Sequence, residues 1–156
     1  MSFMKSLSWL FLSLACCYGA AAIGAAFPPG EWYLHLQKPA FNPPAWVFGP
    51  AWTLLYTLMA FSWWRILRHS EFRKDHLAHG LFLLQLGLNA AWSWLFFGLH
   101  RPGWAFAEIC LLLLAILATQ WRFARHDRLA AGLLIPYALW VSFAAVLNAT
   151  LWRMNA

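Results

Sequence analysis

The chain has 156 residues, of which 63% are hydrophobic and only 10% are charged, and its mean hydropathy is +0.59. Soluble domains are roughly 45 to 50% apolar and about 25% charged. This composition excludes an ordinary soluble domain and indicates a membrane protein. The formal net charge of +6 raises nucleic-acid binding as a function class, and the positions of the charges decide against it.

Five stretches of the chain are long and apolar enough to cross a membrane. A spanning helix needs about 20 mostly apolar residues to cover a hydrocarbon core of roughly 30 Å. The predicted spans are residues 7–27, 45–64, 80–99, 104–121 and 129–152. The longest link, residues 28–44, leaves no room for a soluble domain. The sequence therefore predicts an all-α membrane protein in which residues 1–156 form a single five-helix transmembrane domain.

The first span also has features of a cleaved signal peptide. Lys5 precedes an apolar stretch, and the small residues AAAIGAA resemble a cleavage site. However, the apolar character continues to Phe27, which favours a full-length span over a short signal sequence. The intact mass of the mature protein would distinguish the two.

Lysine and arginine are distributed unevenly between the two sides of the predicted bundle. Alternating sides across five spans places eight of them on the side of the N-terminus and three on the other: Lys5, Arg65, Arg68, Arg73, Lys74, Arg122, Arg125 and Arg128 against Lys38, Arg101 and Arg153. The positive-inside rule then predicts a cytoplasmic N-terminus, with the first loop and the C-terminus on the opposite side. Five spans without a cleaved leader suggest the inner membrane of a bacterium. The basic excess is explained by topology and anionic lipid, and we expect no nucleic-acid partner.

The link at residues 28–44, PPGEWYLHLQKPAFNPP, is too long for a simple turn. Its Trp, Tyr and Pro content predicts an ordered loop that caps one end of the bundle. Pro43 and Pro44 are suited to begin a helix, because the first turn leaves amide hydrogens unpaired and proline has none. Pro50 and Pro136 fall inside predicted spans, where each should bend its helix.

Three spans carry a face on which aromatic and amide side chains recur at helical spacing. Because amides are costly in lipid, these faces should point into the bundle. They consist of Gly49, Trp52, Tyr56 and Trp63, then Gln85, Asn89, Trp92 and Phe96, and finally Tyr137, Trp140, Ala144 and Asn148. The sequence predicts a slot lined by flat rings, with plain packing as the alternative. Five further tryptophans near span ends are expected to anchor at the membrane interface: Trp32, Trp46, Trp104, Trp121 and Trp152.

Ionisable and sulfur-containing residues within the spans are few. Glu108 is the only acid within a predicted span. It either faces the interior, as a functional or polar-network position, or extends to the membrane surface. No histidine lies in the middle of a span and no CxxC pair occurs, so neither a metal site nor an axial haem ligand is expected.

The second span and its approach, KPAFNPPAWVFGPAWTLLYTLM, resemble the signature of the TspO/translocator protein family of tryptophan-rich sensory proteins. The segments WYLHLQKP, NAAWSWLFFGL and PYALWVSFAAVLN also follow the order and spacing of that family. The resemblance implies a five-helix bundle, usually dimeric, with a cavity near the first loop. Such cavities bind protoporphyrin-like tetrapyrroles, including protoporphyrin IX, and synthetic isoquinoline ligands. No cofactor is required for that binding.

Matching motif positions implies ligand contacts at Tyr33, Pro43, Trp52, Tyr56, Asn89, Trp92, Trp140 and Ala144. We add further candidates from the inward faces and the loop: Phe41, Gln85, Phe96, Glu108 and Asn148. Some bacterial members are described as accelerating light- and oxygen-dependent porphyrin breakdown, which the resemblance connects to Trp52 and Trp140. Two departures matter. Phe41 replaces the tryptophan of the family's KPxW, and Tyr137 lacks a nearby basic residue of the kind found in the mammalian sterol motif.

The leading functional hypothesis is a membrane protein that binds a tetrapyrrole and acts as a sensor, carrier or scavenger. The carboxylates of the ligand would reach loop amides, Lys38 or Arg101. Porphyrin photodegradation is the enzymatic alternative, although the sequence contains no paired acid and base and no activated nucleophile. A transporter is disfavoured by the absence of inverted repeats. A purely structural protein would explain the tryptophans only as anchors.

Overall fold

The structure is a computed structural model that describes residues 3–156, with side chains from Met4 onward. Within this range the chain is helical and contains no strand. Its helices are α1 (Phe3–Ala25), α2 (Glu31–His35), α3 (Ala45–Leu67), α4 (His76–Ser93), α5 (Pro102–Ala124), α6 (Arg128–Leu133) and α7 (Ile135–Met154). A 3-10 turn at Phe72–Lys74 precedes α4, and a π-helical turn at Trp94–Gly98 extends it. The all-α prediction is confirmed.

Four helical segments in the described part of the chain are long and apolar enough to cross a membrane. They are Met4–Ala25, His76–Gly98, Pro102–Ala124 and Arg128–Met154. They correspond to the first, third, fourth and fifth predicted spans, with ends that differ by several residues. Helix α3 has 23 residues, a length of about 35 Å. It also contains four Trp, one Tyr and one Pro, which are less apolar than the aliphatic residues of the other spans.

In the fifth predicted span, where the sequence predicts a bend at Pro136, the helix is interrupted. Helix α6 ends at Leu133, and Pro136 lies in the first turn of α7, where its missing N–H needs no acceptor. Side chains pair with the carbonyl groups at the interruption. Ser62 Oγ donates to Ala130 O at 2.7 Å, and Gln120 Nε2 donates to Ala131 O at 3.3 Å. Two carbonyl groups at the end of α6 are therefore paired with side chains of neighbouring helices, whereas Ile135 and Pro136 at the start of α7 are exposed. Pro50, by contrast, lies within the continuous helix α3.

The core is built where α1, α3, α4 and α5 meet. Met59, Phe82 and Ile116 are fully buried at its centre. Helix α1 is tied to α3 by Ser13, whose Oγ donates to Ala60 O at 2.6 Å. This core holds α3 and α4 in a fixed relation, and both helices carry candidate site residues.

Two aspartates fasten the helices at the end of the bundle where α1 begins. Asp75 accepts Ala78 N at the start of α4, Arg122 Nε at 2.7 Å and His126 Nε2 at 2.5 Å. Although burial opposes ionisation, the hydrogen bonds from Arg122 and His126 hold the pKa of the Asp75 carboxyl well below its usual range.

Asp127 caps α6 through Leu129 N and Ala130 N and accepts Arg65 Nε at 2.8 Å. Burial again opposes ionisation, yet these hydrogen bonds lower the pKa of the Asp127 carboxyl.

We predict that Asp75→Asn destabilises the fold by about 2 kcal/mol at neutral pH, because it removes the charged acceptor shared by α4 and α5. A depressed carboxyl pKa gives stability that is complete above the ordinary value near pH 4 and is lost as the pH falls through the folded-state pKa. The difference in Tm between wild type and variant should therefore narrow in acid. Thermal unfolding in detergent, followed by circular dichroism from neutral to acidic pH, measures it. Glu71→Gln, an exposed acid on the same connection, is the control. An equal loss in both variants would refute the role of Asp75.

Candidate ligand-binding site

The centre of the candidate site is a buried amide held by two tyrosines from other helices. Asn89 on α4 accepts a hydrogen bond at Oδ1 from the Tyr56 hydroxyl on α3. Its Nδ2 donates to the Tyr137 hydroxyl on α7 at 2.9 Å. All three side chains are buried. The three faces predicted to point inward therefore meet at this point, and their inward orientation is confirmed for these residues.

Half-buried indole rings adjoin this amide. The ring centre of Trp52 lies 5.5 Å from that of Tyr56 and 6.3 Å from that of Tyr137. Trp52 also meets Trp140 edge to face at 6.4 Å. Trp140 in turn contacts Phe143 at 5.8 Å. Edge-to-face contacts of this kind favour a defined arrangement of rings. Trp52 and Trp140 thus form a joint aromatic wall between α3 and α7.

A second buried amide orients the remaining candidate tryptophan. Asn148 Oδ1 accepts Trp92 Nε1 at 3.0 Å, and Asn148 Nδ2 donates to Pro102 O at 2.8 Å. Trp92 stacks on Phe96 with ring centres 5.0 Å apart. Phe96 belongs to the π-helical turn, which sequence periodicity at 3.6 residues per turn could not reveal. Asn89 therefore orients the rings of Tyr56 and Tyr137, and Asn148 orients that of Trp92.

The first loop lies over the aromatic side chains of the site, here called the ring cluster: Trp52, Trp92, Phe96, Trp140 and Phe143. Tyr33 of α2 meets Phe96 at 6.3 Å and Phe97 at 5.4 Å, both edge to face. The Tyr33 hydroxyl donates to Asn42 Oδ1 at 3.3 Å. Desolvation raises the pKa of Tyr33 above its ordinary value, so its hydroxyl remains a donor at neutral pH. The loop is also joined to the C-terminus, since the Asn155 side chain both accepts from and donates to the Gln37 backbone, at 2.8 and 3.0 Å.

Lys38 is occupied by the loop's own backbone. Its Nζ donates to the carbonyl oxygens of Tyr33 at 2.7 Å, Leu34 at 3.2 Å and Leu36 at 3.3 Å. Its ammonium also lies 4.7 Å from the centre of the Tyr33 ring. This places the charge where the last carbonyls of α2 lack partners. The expectation that Lys38 is a free partner for ligand carboxylates is therefore corrected: it closes the end of α2.

The remaining loop candidates lie at the rim of the ring cluster. Phe41 is 48% exposed, and its ring centre lies 6.4 Å from that of Phe143 on α7. Pro43 is half-buried, and its carbonyl accepts Asn42 Nδ2 at 3.2 Å. Ala144, also half-buried, follows Trp140 by one helical turn on α7. Phe143 was not singled out from the sequence, because nothing in its own helix indicates that the loop reaches it.

Three side chains of the described residues have buried polar atoms without protein partners, namely His79 at Nε2, Gln85 and Glu108. Gln85 is 1% exposed, and among the described residues nothing pairs with its Oε1. Glu108 is 8% exposed, and neither of its carboxyl oxygens has a hydrogen-bond partner in residues 3–156. The interior alternative for Glu108 is therefore correct, and extension to the surface is not. The Gln85 and Glu108 groups are free to bond a polar part of a guest or a water molecule.

Some tryptophans differ from their predicted roles. Trp46, Trp104, Trp121 and Trp152 are exposed as expected of interface anchors. Trp32 is half-buried: its ring stacks on that of His100 with centres 4.5 Å apart and lies 5.7 Å from the ring centre of Phe96. Trp63 points inward as predicted, but its Nε1 donates to His79 Nδ1 at 2.9 Å, three turns along α3 from Trp52. Gly49 is exposed, so the inward face of α3 begins at Trp52.

Comparison with known proteins shows the family of this chain. A model of the TspO/MBR family matches residues 11–153. The chain belongs to the TspO/MBR family. The matched region includes every candidate residue from Tyr33 to Asn148.

Relatives similar to this chain occur in bacteria and animals. The tryptophan-rich sensory protein of Cereibacter sphaeroides is 38% identical over 152 residues, which cover 96% of this chain and 94% of the relative. Protein CrtK of Rhodobacter capsulatus is 37% identical over 151 residues, with 96% and 94% covered. The translocator protein of Homo sapiens is 39% identical over 140 residues, with 85% and 82% covered. The TspO/MBR fold therefore spans nearly the whole chain.

We predict that Tyr137→Phe destabilises the protein by about 1 to 3 kcal/mol, because Asn89 Nδ2 loses its buried acceptor. The ring and its packing are kept, so the hydrogen bond alone is removed. Thermal unfolding in detergent measures the loss. Ser142→Ala on the same helix is the control, since its hydroxyl bonds only Ala138 O of its own helix at 2.7 Å. If the two variants unfold at the same temperature, the hydrogen bond between Asn89 and Tyr137 does not contribute to stability.

Proposed function

We propose that the protein is an integral membrane protein that binds a flat tetrapyrrole of the protoporphyrin IX type and acts as a sensor or translocator. One observation carries the proposal: three half-buried indoles cluster around two buried amides. Trp52 lies beside the tyrosines that bond Asn89, Trp140 lies beside Trp52, and Trp92 bonds Asn148. Membership of the TspO/MBR family and the names of the sensory and translocator relatives support it.

The chemistry of the site suits such a guest. A tetrapyrrole offers broad aromatic faces, which stack on or meet the edges of indole rings. Its polar groups would find the unpaired Gln85 and Glu108 atoms inside and the exposed Arg101 at the end of the bundle where the loop lies. Because Trp52 and Trp140 touch edge to face, a planar guest between them requires the two rings to separate.

The finer architecture of this proposal is a five-span bundle with an ordered loop between its first two spans. Helix α3 is as long as α1 and α5, and we assign to it the remaining span, the second in chain order. Its exposed Trp46, Leu54 and Phe61 would face lipid or another protein. The N-terminus is cytoplasmic, with the loop and the C-terminus across a bacterial inner membrane. A homodimer follows from the family resemblance.

We predict that Trp52→Phe and Trp140→Phe each weaken protoporphyrin IX binding about threefold or more, the value of one aromatic contact. Titration in detergent, read from porphyrin absorption and from quenching of tryptophan emission, measures the affinity. Trp46→Phe and Trp104→Phe, which change exposed indoles, should leave the affinity unchanged. Wild-type affinity in both site variants would exclude the proposed pocket.

A second candidate function is porphyrin photodegradation. The observation that favours it is the direct contact of Trp52 with Trp140, Tyr56 and Tyr137, which groups oxidisable side chains. In this function an indole donates an electron to the photoexcited porphyrin, and molecular oxygen is the final oxidant.

We predict that, if the protein has this second function, illumination of the complex in air bleaches the porphyrin absorption faster than in an anaerobic sample. Trp140→Phe should slow the bleaching at equal porphyrin occupancy, whereas Trp104→Phe should not. If bound porphyrin bleaches at the rate of free porphyrin while binding is intact, photodegradation is excluded and only the binding function remains.

A further inference from the structure

An open cavity of about 830 Å³ lies at the end of the bundle opposite the first loop. It is formed between the first turns of α1 and the connection that follows α3. Its lining consists of Lys5, Ser6, Ser8, Trp9, Arg68, His69, Ser70 and Arg73. None of these lining residues is acidic, and the neighbouring Glu71 is exposed and outside the lining. The cavity is therefore basic and rich in hydroxyl groups.

Aromatic rings hold both arginines of the cavity. The Arg68 guanidinium lies 5.1 Å from the centre of the Trp64 ring. The Arg73 guanidinium lies 5.1 Å from that of Trp9, and its Nη1 donates to Leu67 O at 2.8 Å. An arginine that rests its guanidinium on an indole keeps its N–H edges available for paired hydrogen bonds to a carboxylate or a phosphate. Arg68 carries this property for the cavity, since no ion pair of Arg68 occurs among the described residues.

The walls of the cavity are tied together. Trp64 Nε1 donates to Ser6 O at 3.0 Å, which joins the end of α3 to the start of α1. The same indole bears the Arg68 guanidinium, so one residue positions both walls. Trp64 thus joins Ser6 and Arg68 on the two walls, and Ser70 follows Arg68 by two residues on the connection.

We propose that this cavity binds a phosphate group. Arginine recognises phosphate through paired N–H donors, and serine hydroxyls add further donors. The phosphate could belong to an anionic phospholipid headgroup or to a small soluble phosphate ester. The predicted cytoplasmic position of this end, where anionic lipids are enriched, favours the lipid. Trp9 offers an apolar wall beside the charge.

This proposal goes beyond the tetrapyrrole site and does not depend on it. The cavity lies at the other end of α1 and α3 from the first loop and shares no residue with the ring cluster. Porphyrin affinity and phosphate binding are therefore measured on the same preparation as separate quantities, and either can fail alone.

Two measurements test the proposal. In nanodiscs of phosphatidylcholine with phosphatidylglycerol, native mass spectrometry counts which lipid remains bound to the protein. In phosphatidylcholine nanodiscs, calorimetry follows binding of glycerol 3-phosphate. The variants are Arg68→Gln and Arg68→Lys, the second of which keeps the charge and loses the paired donors. Arg125→Gln is the matched control, because Arg125 lies on an indole in the same way, 4.0 Å from the Trp121 ring centre, and is outside the cavity.

We predict that Arg68→Gln weakens binding about tenfold and Arg68→Lys by less, while Arg125→Gln remains within about twofold of wild type. Selective retention of phosphatidylglycerol without glycerol 3-phosphate binding identifies the ligand as a lipid headgroup. Binding of glycerol 3-phosphate identifies it as a small soluble phosphate ester. Equal losses in Arg68→Gln and Arg125→Gln would indicate only general electrostatic attraction and overturn the site. Absence of both lipid preference and ester binding overturns it as well.

Discussion

The pairing of Asn89 with Tyr56 and Tyr137 is the interaction on which the arrangement of the ring cluster depends. A primary amide in an apolar interior is costly unless its groups are paired. Its oxygen bonds a hydroxyl from α3 and its nitrogen bonds one from α7. A rotation of any of these three helices would break at least one of these bonds. The amide therefore determines which side chains of α3, α4 and α7 face one another, and Trp52 and Trp140 follow because each lies one turn from a bonded tyrosine.

The same requirement explains the interruption between α6 and α7. Ending α6 at Leu133 removes the partners that a continuous helix would give its last carbonyl groups, although Leu134 N donates to Ala131 O at 3.1 Å. Ser62 on α3 and Gln120 on α5 donate to two of these carbonyls. The break thus adds links between α6 and its neighbours, and it allows α7 to begin afresh at Ile135. Polar side chains within the bundle serve chiefly to pair groups that lipid would leave without partners.

Sequence reasoning predicted the inward faces because the cost of a buried amide is a local property. Asn89, Asn148 and Gln85 could be assigned to the interior from their helical spacing and chemistry alone. The features that were missed depend on contacts between distant segments. The stacking of Trp32 on His100 and the capture of Lys38 by the carbonyls of α2 are set by how the loop folds back.

The helix irregularities were hard to predict for a related reason. Pro136 was recognised as a break in hydrogen bonding, but whether it bends a helix or starts a new one depends on donors from α3 and α5. The π-helical turn at Trp94–Gly98 has no proline or glycine in its interior from which the sequence could predict it. Its effect is to bury Phe96, which is 1% exposed, beneath Trp32 and Tyr33.

The strengths of these contacts indicate which part of the proposed site moves when a guest enters. The Asn89 node is buried and joins three long helices, so opening it would expose unpaired polar groups to an apolar interior. The first loop is held to the bundle by ring contacts of Trp32, Tyr33 and Phe41 and by the exposed pairing of Gln37 with Asn155. Exposed hydrogen bonds exchange readily with water and contribute little to local stability. If a guest separates Trp52 from Trp140, as the proposed function requires, we therefore expect the loop and Phe41, which contacts Phe143 of α7, to move while the amide node stays closed.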